Sequence, residues 1–116
     1  MLKDDCIFCK IIKKEITSKI VFEDDKIMAF EDINPQAPVH VLVVPKKHIP
    51  TNLDIEERDS PLVSHLFQVA NKIAKDKGIA ERGFRLVMNC NPESGQTVFH
   101  IHLHVLGGRF MQWPPG

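Results

Sequence analysis

The chain lacks net charge: fifteen basic residues are matched by fifteen acidic ones. That balance gives no electrostatic basis for holding nucleic acid or an anionic membrane. No apolar run approaches the roughly 20 residues of a membrane-spanning helix. The opening Met1-Leu2-Lys3-Asp4-Asp5 lacks the apolar stretch of a secretory signal. Cysteines number only three, an odd count that excludes a closed disulfide framework. Repeats, low-complexity tracts and linkers are missing as well. These absences predict a soluble protein of the cytoplasm, with the nucleus open to it, that binds neither nucleic acid nor membrane. The 116 residues suit one domain, 1–116, with a proper core. An apolar content of 43% and a charged content of 26% are ordinary for a globular chain.

What the chain does have is histidine in an unusual place. Half of its six histidines fall within His100-Ile101-His102-Leu103-His104, and the run continues into Val105-Leu106. Read as a strand, the three imidazoles share one face, and Ile101, Leu103 and Val105 share the other. At about 3.3 Å per residue, neighbouring histidines stand roughly 6.6 Å apart and the outer two about 13 Å. Neighbours can then share a small substrate or a metal, whereas all three can hardly meet on one ion.

Around this run the pattern predicts an α+β fold. Ile7, Phe8, Ile11 and Ile12 have helical spacing, giving a short helix over 6–14. Ile20–Glu23 and Lys26–Glu31 read as a hairpin about Asp24-Asp25. His40–Pro45 is a β-branched run that suits a central strand. Ser60 as N-cap and Pro61 at the first helical position open a long helix. Its apolar face is Leu62, Leu66, Val69, Ala70 and Ile73, and Gly78 closes it. Phe84–Cys90 and residues 100–106 complete about five antiparallel strands, with the long helix covering one face. Cys90, in an apolar run, reads as a small buried residue.

Two chemistries fit the histidine strand. An i, i+2 pair is good zinc-ligand geometry. Alternatively, one imidazole is a nucleophile, and its neighbours orient it and bind an anion. The second reading needs an anion cradle, and Ser94-Gly95-Gln96-Thr97 lies just upstream: a glycine turn with exposed N–H groups and a hydroxyl donor. Separately, Cys6-x-x-Cys9 is half a zinc site, and His48 and His100 are candidates for the other half. His40 and His65 read as structural or solvated. The pair Lys46-Lys47 reads as a solvated strand end.

The run His100 to Leu106 resembles the signature of the histidine triad (HIT) superfamily, three histidines alternating with apolar residues. Other segments are similar to its Hint branch: Phe8-x-Lys10-Ile11-Ile12, Phe30-x-Asp32-Ile33-x-Pro35-Gln36-Ala37-Pro38, Pro45-Lys46-Lys47-His48, Gly95-Gln96-x-Val98-x-His100, and the ending Trp113-Pro114-Pro115-Gly116. The resemblance spans nearly the whole chain. It implies a hydrolase for purine nucleoside 5′-phosphoramidates, most of all adenosine derivatives, with no catalytic cofactor. By it, His102 attacks phosphorus to give a nucleotidyl-histidine, His104 holds the phosphate and His100 supports His102. Gly95, Gln96, Thr97 and Val98 match the phosphate loop, with Thr97 where many members carry serine. Asn89 matches a ribose or phosphate contact. Asp32 matches the ribose acceptor, and Phe8, Ile11, Phe30 and Ile33 the base slot. Some members bind structural zinc through the positions of Cys6, Cys9, His48 and His100. The branch also implies a homodimer that joins two five-stranded sheets, with the tail near the partner's site. Competing readings are a diadenosine polyphosphate hydrolase, which the Trp113-Pro114-Pro115-Gly116 ending disfavours, a nucleotide-binding scaffold with incidental hydrolysis, and a zinc hydrolase built on the histidine strand.

Overall fold

The computed structural model describes residues 3–116; Met1 and Leu2, and with them the start of the segment read above for a signal, lie outside the described residues. Helix α1 is Ile7–Ile12. Strands β1 (Ile20–Glu23), β2 (Ile27–Glu31) and β3 (Val39–Pro45) follow. Helix α2 is Ser60–Asp76, and strands β4 (Phe84–Val87) and β5 (Leu103–Gly107) close the series. The five strands form one sheet in the order β1-β2-β3-β5-β4, and every neighbouring pair is antiparallel. This is the α+β architecture that the pattern predicts. Among the described residues, no helix is long and apolar enough to cross a membrane.

The centre of the sheet explains its unbroken apolar sequence. Ile27, Ala29, Val41 and Val43 point to one face and pack with Leu66, Val69 and Ile73 of α2. Met28, Phe30, Leu42 and Val44 point to the other and pack with Phe8, Ile11 and Ile12 of α1. The sheet is therefore covered on both sides, where the sequence predicted cover on one. A strand buried on both faces needs apolar residues at successive positions, not alternate ones. Ile101, Leu103 and Val105 also join the α2 side, which turns the histidines between them toward α1.

Five local expectations are corrected. The ladder of β5 begins at Leu103, not His100, because the backbone N–H of Ile101 leaves the sheet to bond the Ile49 carbonyl at 2.8 Å. Strand β4 stops at Val87, opposite His104, because its partner strand is about to leave the ladder; Cys90 beyond it is only partly buried. At the start of α2 the N-cap is Asp59, with Ser60 already helical. The Asp59 carboxylate accepts from Lys47 Nζ at 2.6 Å and from the Glu56 N–H at 2.9 Å, so Lys47 ties a strand end to the helix and is not merely solvated. At the other end Gly78, at φ +76°, and Ile79 return their N–H groups to Lys75 and Ala74, the double bond of a Schellman stop.

Candidate active site

The α1 face of the sheet carries the site. His102 is buried, and its Nδ1 lies 2.8 Å from the His100 carbonyl. A carbonyl only accepts, so Nδ1 carries the proton and Nε2 keeps its lone pair. Burial holds this imidazole below its ordinary range, opposed by the bond to His100 and by Asp32. His102 is thus neutral at pH 7, with a nitrogen available to attack. Its ring meets the edge of Phe8 at 4.9 Å, and His104 is its other neighbour at 4.9 Å.

His104 is aimed by His40, for which the sequence predicts only a structural or solvated role. The Gln36 N–H donates to His40 Nδ1 at 3.0 Å, so the His40 proton sits on Nε2. That Nε2–H reaches His104 Nδ1 at 2.9 Å. Neutral His104 therefore carries its own proton on Nε2, as a donor. Burial, with help from His102 and His40, lowers His104 to about 4. His40 was findable in the sequence: it precedes Leu42 by two in β3, and Leu42 pairs with His104. Diagonal neighbours on one face of a sheet come within side-chain reach. His65, in contrast, sits on α2 and bonds Asp24 at 2.7 Å, a structural pairing.

A cavity of about 400 Å³ opens beside these rings. Phe8, Ile11, Phe30, Asp32 and Ile33 line it, and so do Thr97, Val98, His102 and His104. Ile33 is 98% exposed, an apolar side chain with no cover of its own. Asp32 divides its carboxylate: Oδ1 accepts the Asn34 N–H at 2.8 Å, and Oδ2 lies 3.4 Å from His40 Nε2. The turn role and the site role of Asp32 thus coexist. The sequence reading missed Leu42 and the hydroxyl residues Thr17 and Ser18, which share the lining. Thr17 and Ser18 lie in a polar stretch before β1 whose only signal was the hydroxyls themselves.

Asn89, Gly95, Gln96 and His100 are not part of that lining. In the loop before the histidines, the Gly95 N–H returns to Pro92 O at 3.0 Å and the Gln96 N–H to Asn91 O at 3.4 Å. The Gln96 side chain accepts from Asn91 N–H and donates to Pro50 O and Val98 O. These two residues brace the loop, and Thr97 and Val98 present it to the cavity. Gly95 sits at φ +97°, which a residue with a Cβ adopts only under strain.

His100 faces away from the cavity, into a second cluster. Its Nε2–H donates to Pro45 O at 2.7 Å, so Nδ1 is bare. That nitrogen lies 3.4 Å from Cys6 Sγ, 3.5 Å from Cys9 Sγ and 3.2 Å from His48 Nδ1. Cys9 Sγ is 3.3 Å from His48 Nδ1. One lone pair cannot serve three donors, but four ligands converging on one point suit a cation. Tetrahedral zinc requires edges of roughly 3.3 Å between nitrogens and roughly 3.6 Å between nitrogen and sulfur. The observed separations match. The Nε2–H bond to a carbonyl is also the usual outer partner of a metal-binding histidine. Burial lowers His100 to about 4, so it stays an unprotonated ligand at neutral pH. Locally, Cys6 is the N-cap of α1 and its sulfur accepts the Cys9 N–H at 3.4 Å, so the Cys-x-x-Cys spacing is one turn of helix.

Comparison with known proteins places this geometry. The pattern described as "Scavenger mRNA decapping enzyme C-term binding" matches residues 5–113. The chain is 54% identical to a 14 kDa zinc-binding protein of Zea mays, over 95% of this chain and 87% of that one. It is 53% identical to the adenylylsulfatase HINT1 of Arabidopsis thaliana, over 95% and 76%, and 49% identical to the purine nucleoside phosphoramidase of Escherichia coli, over 93% and 91%. The crystal structure of a HIT family hydrolase from Legionella pneumophila superposes with a TM-score of 0.95 at 54% identity, covering 97% of this chain and all of that one. The chain belongs to the histidine triad family, on its Hint branch.

Proposed function

We propose that the protein hydrolyses purine nucleoside 5′-phosphoramidates, adenosine derivatives above all, through a nucleotidyl-histidine at His102. The observation that carries this is the His102 tautomer: Nδ1–H tied to the His100 carbonyl, in a ring that lines the cavity with Thr97, His104 and Asp32. Nε2 attacks the α-phosphorus, and the P–N bond to the leaving amine breaks. The amine keeps the bonding pair and takes a proton from solvent water relayed by the Thr97 hydroxyl. The His104 Nε2–H donates to a phosphate oxygen. Water then attacks the same phosphorus, the bond to His102 breaks, and nucleoside monophosphate leaves. One proton of that water replaces the one given to the amine. Asp32 accepts from the ribose hydroxyls, and the base rests between Phe8, Phe30 and Ile33. Asn89, Gly95 and Gln96 shape the loop around the phosphate. In this reading the Cys6, Cys9, His48 and His100 cluster holds a structural zinc, which cross-links the chain and takes no part in the chemistry.

The working unit is a homodimer in this proposal. Strand β4 is an edge of the sheet, and Phe110 and Trp113 in the tail are 92% and 81% exposed. Both features suit a second copy that extends the sheet and covers the tail.

The test is release of amine from a fluorogenic adenosine phosphoramidate. His102→Ala should lose at least about a thousandfold in turnover, as expected on deleting a nucleophile, while still binding adenosine monophosphate. Turnover should persist in excess chelator. Unchanged turnover in His102→Ala would sink the mechanism. Faster release from adenylyl sulfate or diadenosine polyphosphate would reassign the leaving group. Nucleotide binding with no turnover on any of them would favour a binding protein.

A further inference from the structure

The metal cluster and the nucleotide cavity are joined by two short covalent paths. His100 gives its ring to the cluster and its carbonyl to His102 Nδ1. The second path is α1. Cys6 and Cys9 belong to the cluster, while Phe8, between them, lies 4.9 Å from the His102 ring and 5.5 Å from Phe30. Ile11, one turn on, lines the cavity. A helix of six residues does not hold itself together in water, so what anchors its ends sets where Phe8 and Ile11 stand. The fourth member of the cluster, His48, lies just after β3 and comes from neither path.

We infer that zinc at Cys6, Cys9, His48 and His100 is thermodynamically coupled to nucleotide in the cavity, with His100 and α1 as the positioning elements. Filling the cluster fixes the His100 peptide and the pitch of α1. It thereby fixes the His102 tautomer and the wall against which the base packs. Nucleotide that packs there holds the same two elements in place for zinc. Linkage requires the two effects to be equal, so each ligand tightens the other by one common factor. Cys6, Cys9 and His48 then act on nucleotide binding without touching the nucleotide. The inference rests on the zinc reading above and not on the identity of the leaving group.

The experiment uses the full chain and two probes, zinc and adenosine monophosphate. Metal-free and zinc-loaded protein are titrated with the nucleotide by calorimetry, and zinc affinity is measured with and without saturating nucleotide. Nitrogen-15 spectra of the histidines follow the His102 tautomer in each state. The expected result is a gain of at least about fivefold in nucleotide affinity with zinc, an equal gain in zinc affinity with nucleotide, and a sharper Nδ1–H population at His102. His48→Ala, which leaves the cavity lining intact, should abolish the zinc effect and retain nucleotide binding at the metal-free level. Equal affinities in the two states, with one zinc bound per chain, overturn the coupling. Failure to bind zinc overturns it together with the zinc reading, and leaves the hydrolase reading standing. Coupling without any turnover supports the clamp and removes the hydrolase.

Discussion

At the scale of single residues, the site is a problem in proton placement. Four imidazoles lie close together, and the carbonyls and N–H groups around them settle where each proton sits: Pro45 O for His100, His100 O for His102 and Gln36 N–H for His40, which in turn settles His104. His40→Ala should therefore damage catalysis without touching substrate. Freed from its donor, His104 can switch its proton to Nδ1 and lose the hydrogen bond to phosphate proposed for it. The expected loss is roughly 10- to 100-fold in kcat, equivalent to about 1.4–2.7 kcal/mol of transition-state stabilisation. Steady-state kinetics on the folded variant check it, and an unchanged kcat would remove His40 from the site. Gly107 offers a second residue-scale test. A Cβ there would stand 2.6 Å from Ile79 Cδ1. Gly107→Ala should destabilise by about 1–3 kcal/mol through overpacking, read as a lower urea midpoint at constant slope.

At the scale of elements, packing decides, and surface ion pairs do not. Helix α2 buries Leu66, Val69, Ala70 and Ile73 against one face of the sheet. Ile73→Ala should cost about 2–5 kcal/mol. Lys72→Ala, which removes an exposed 2.9 Å pair with Asp76, should cost at most about 0.5 kcal/mol. Chemical denaturation of both variants checks the contrast. The elements also show what a sequence displays. Helical spacing revealed both helices, and alternation at the histidine run with the unbroken β-branched run of β3 revealed strands, since β2 and β3 are buried on both faces. The convergence of Cys6, Cys9, His48 and His100, and the placing of His102 and His104 beside the cavity, were legible for a different reason: sharp local spacing together with a family signature. The rest depended on contacts between distant segments. The ladder of β5 starts late because Ile101 bonds Ile49, and β4 ends early because its partner does. His40 gains a role only from the β3–β5 register. The Gly95 and Gln96 N–H groups look like an anion cradle in one dimension, but fold back into their own turn in three.

At the scale of the whole molecule, buried neutral histidine makes stability depend on pH in a defined window. His104 falls to about 4 in the folded chain, against an ordinary 6.5. Above pH 6.5 neither state binds the proton, so there is no effect. Between 6.5 and about 4 the unfolded chain takes up a proton that the folded chain refuses, so stability drops as pH falls. Screening of the partly exposed ring leaves a loss on the order of 1 kcal/mol at pH 5. Glu23, Asp24, Glu31 and Asp59 act later. Their cationic or N–H partners hold them below the ordinary carboxylate range, so their contribution is lost only as pH falls further. Urea unfolding at pH 7.5 and pH 5 should show the first loss, and His104→Gln should reduce it. Equal midpoints at the two pH values would contradict the assignment.

The two-sided sheet has a last consequence, for inheritance. The α2 side packs purely apolar groups, and the α1 side packs the cavity and the metal cluster. They share little beyond the backbone of β2, β3 and β5. A lineage can therefore drift on one side and specialise on the other. In a saturation library, damage at Ile27, Val41 or Ile73 should lower the amount of folded protein while each surviving molecule works normally. Damage at Phe8, Leu42 or Phe30 should also change which nucleotides are accepted. New substrate ranges would then arise one strand face away from the positions that keep the chain folded.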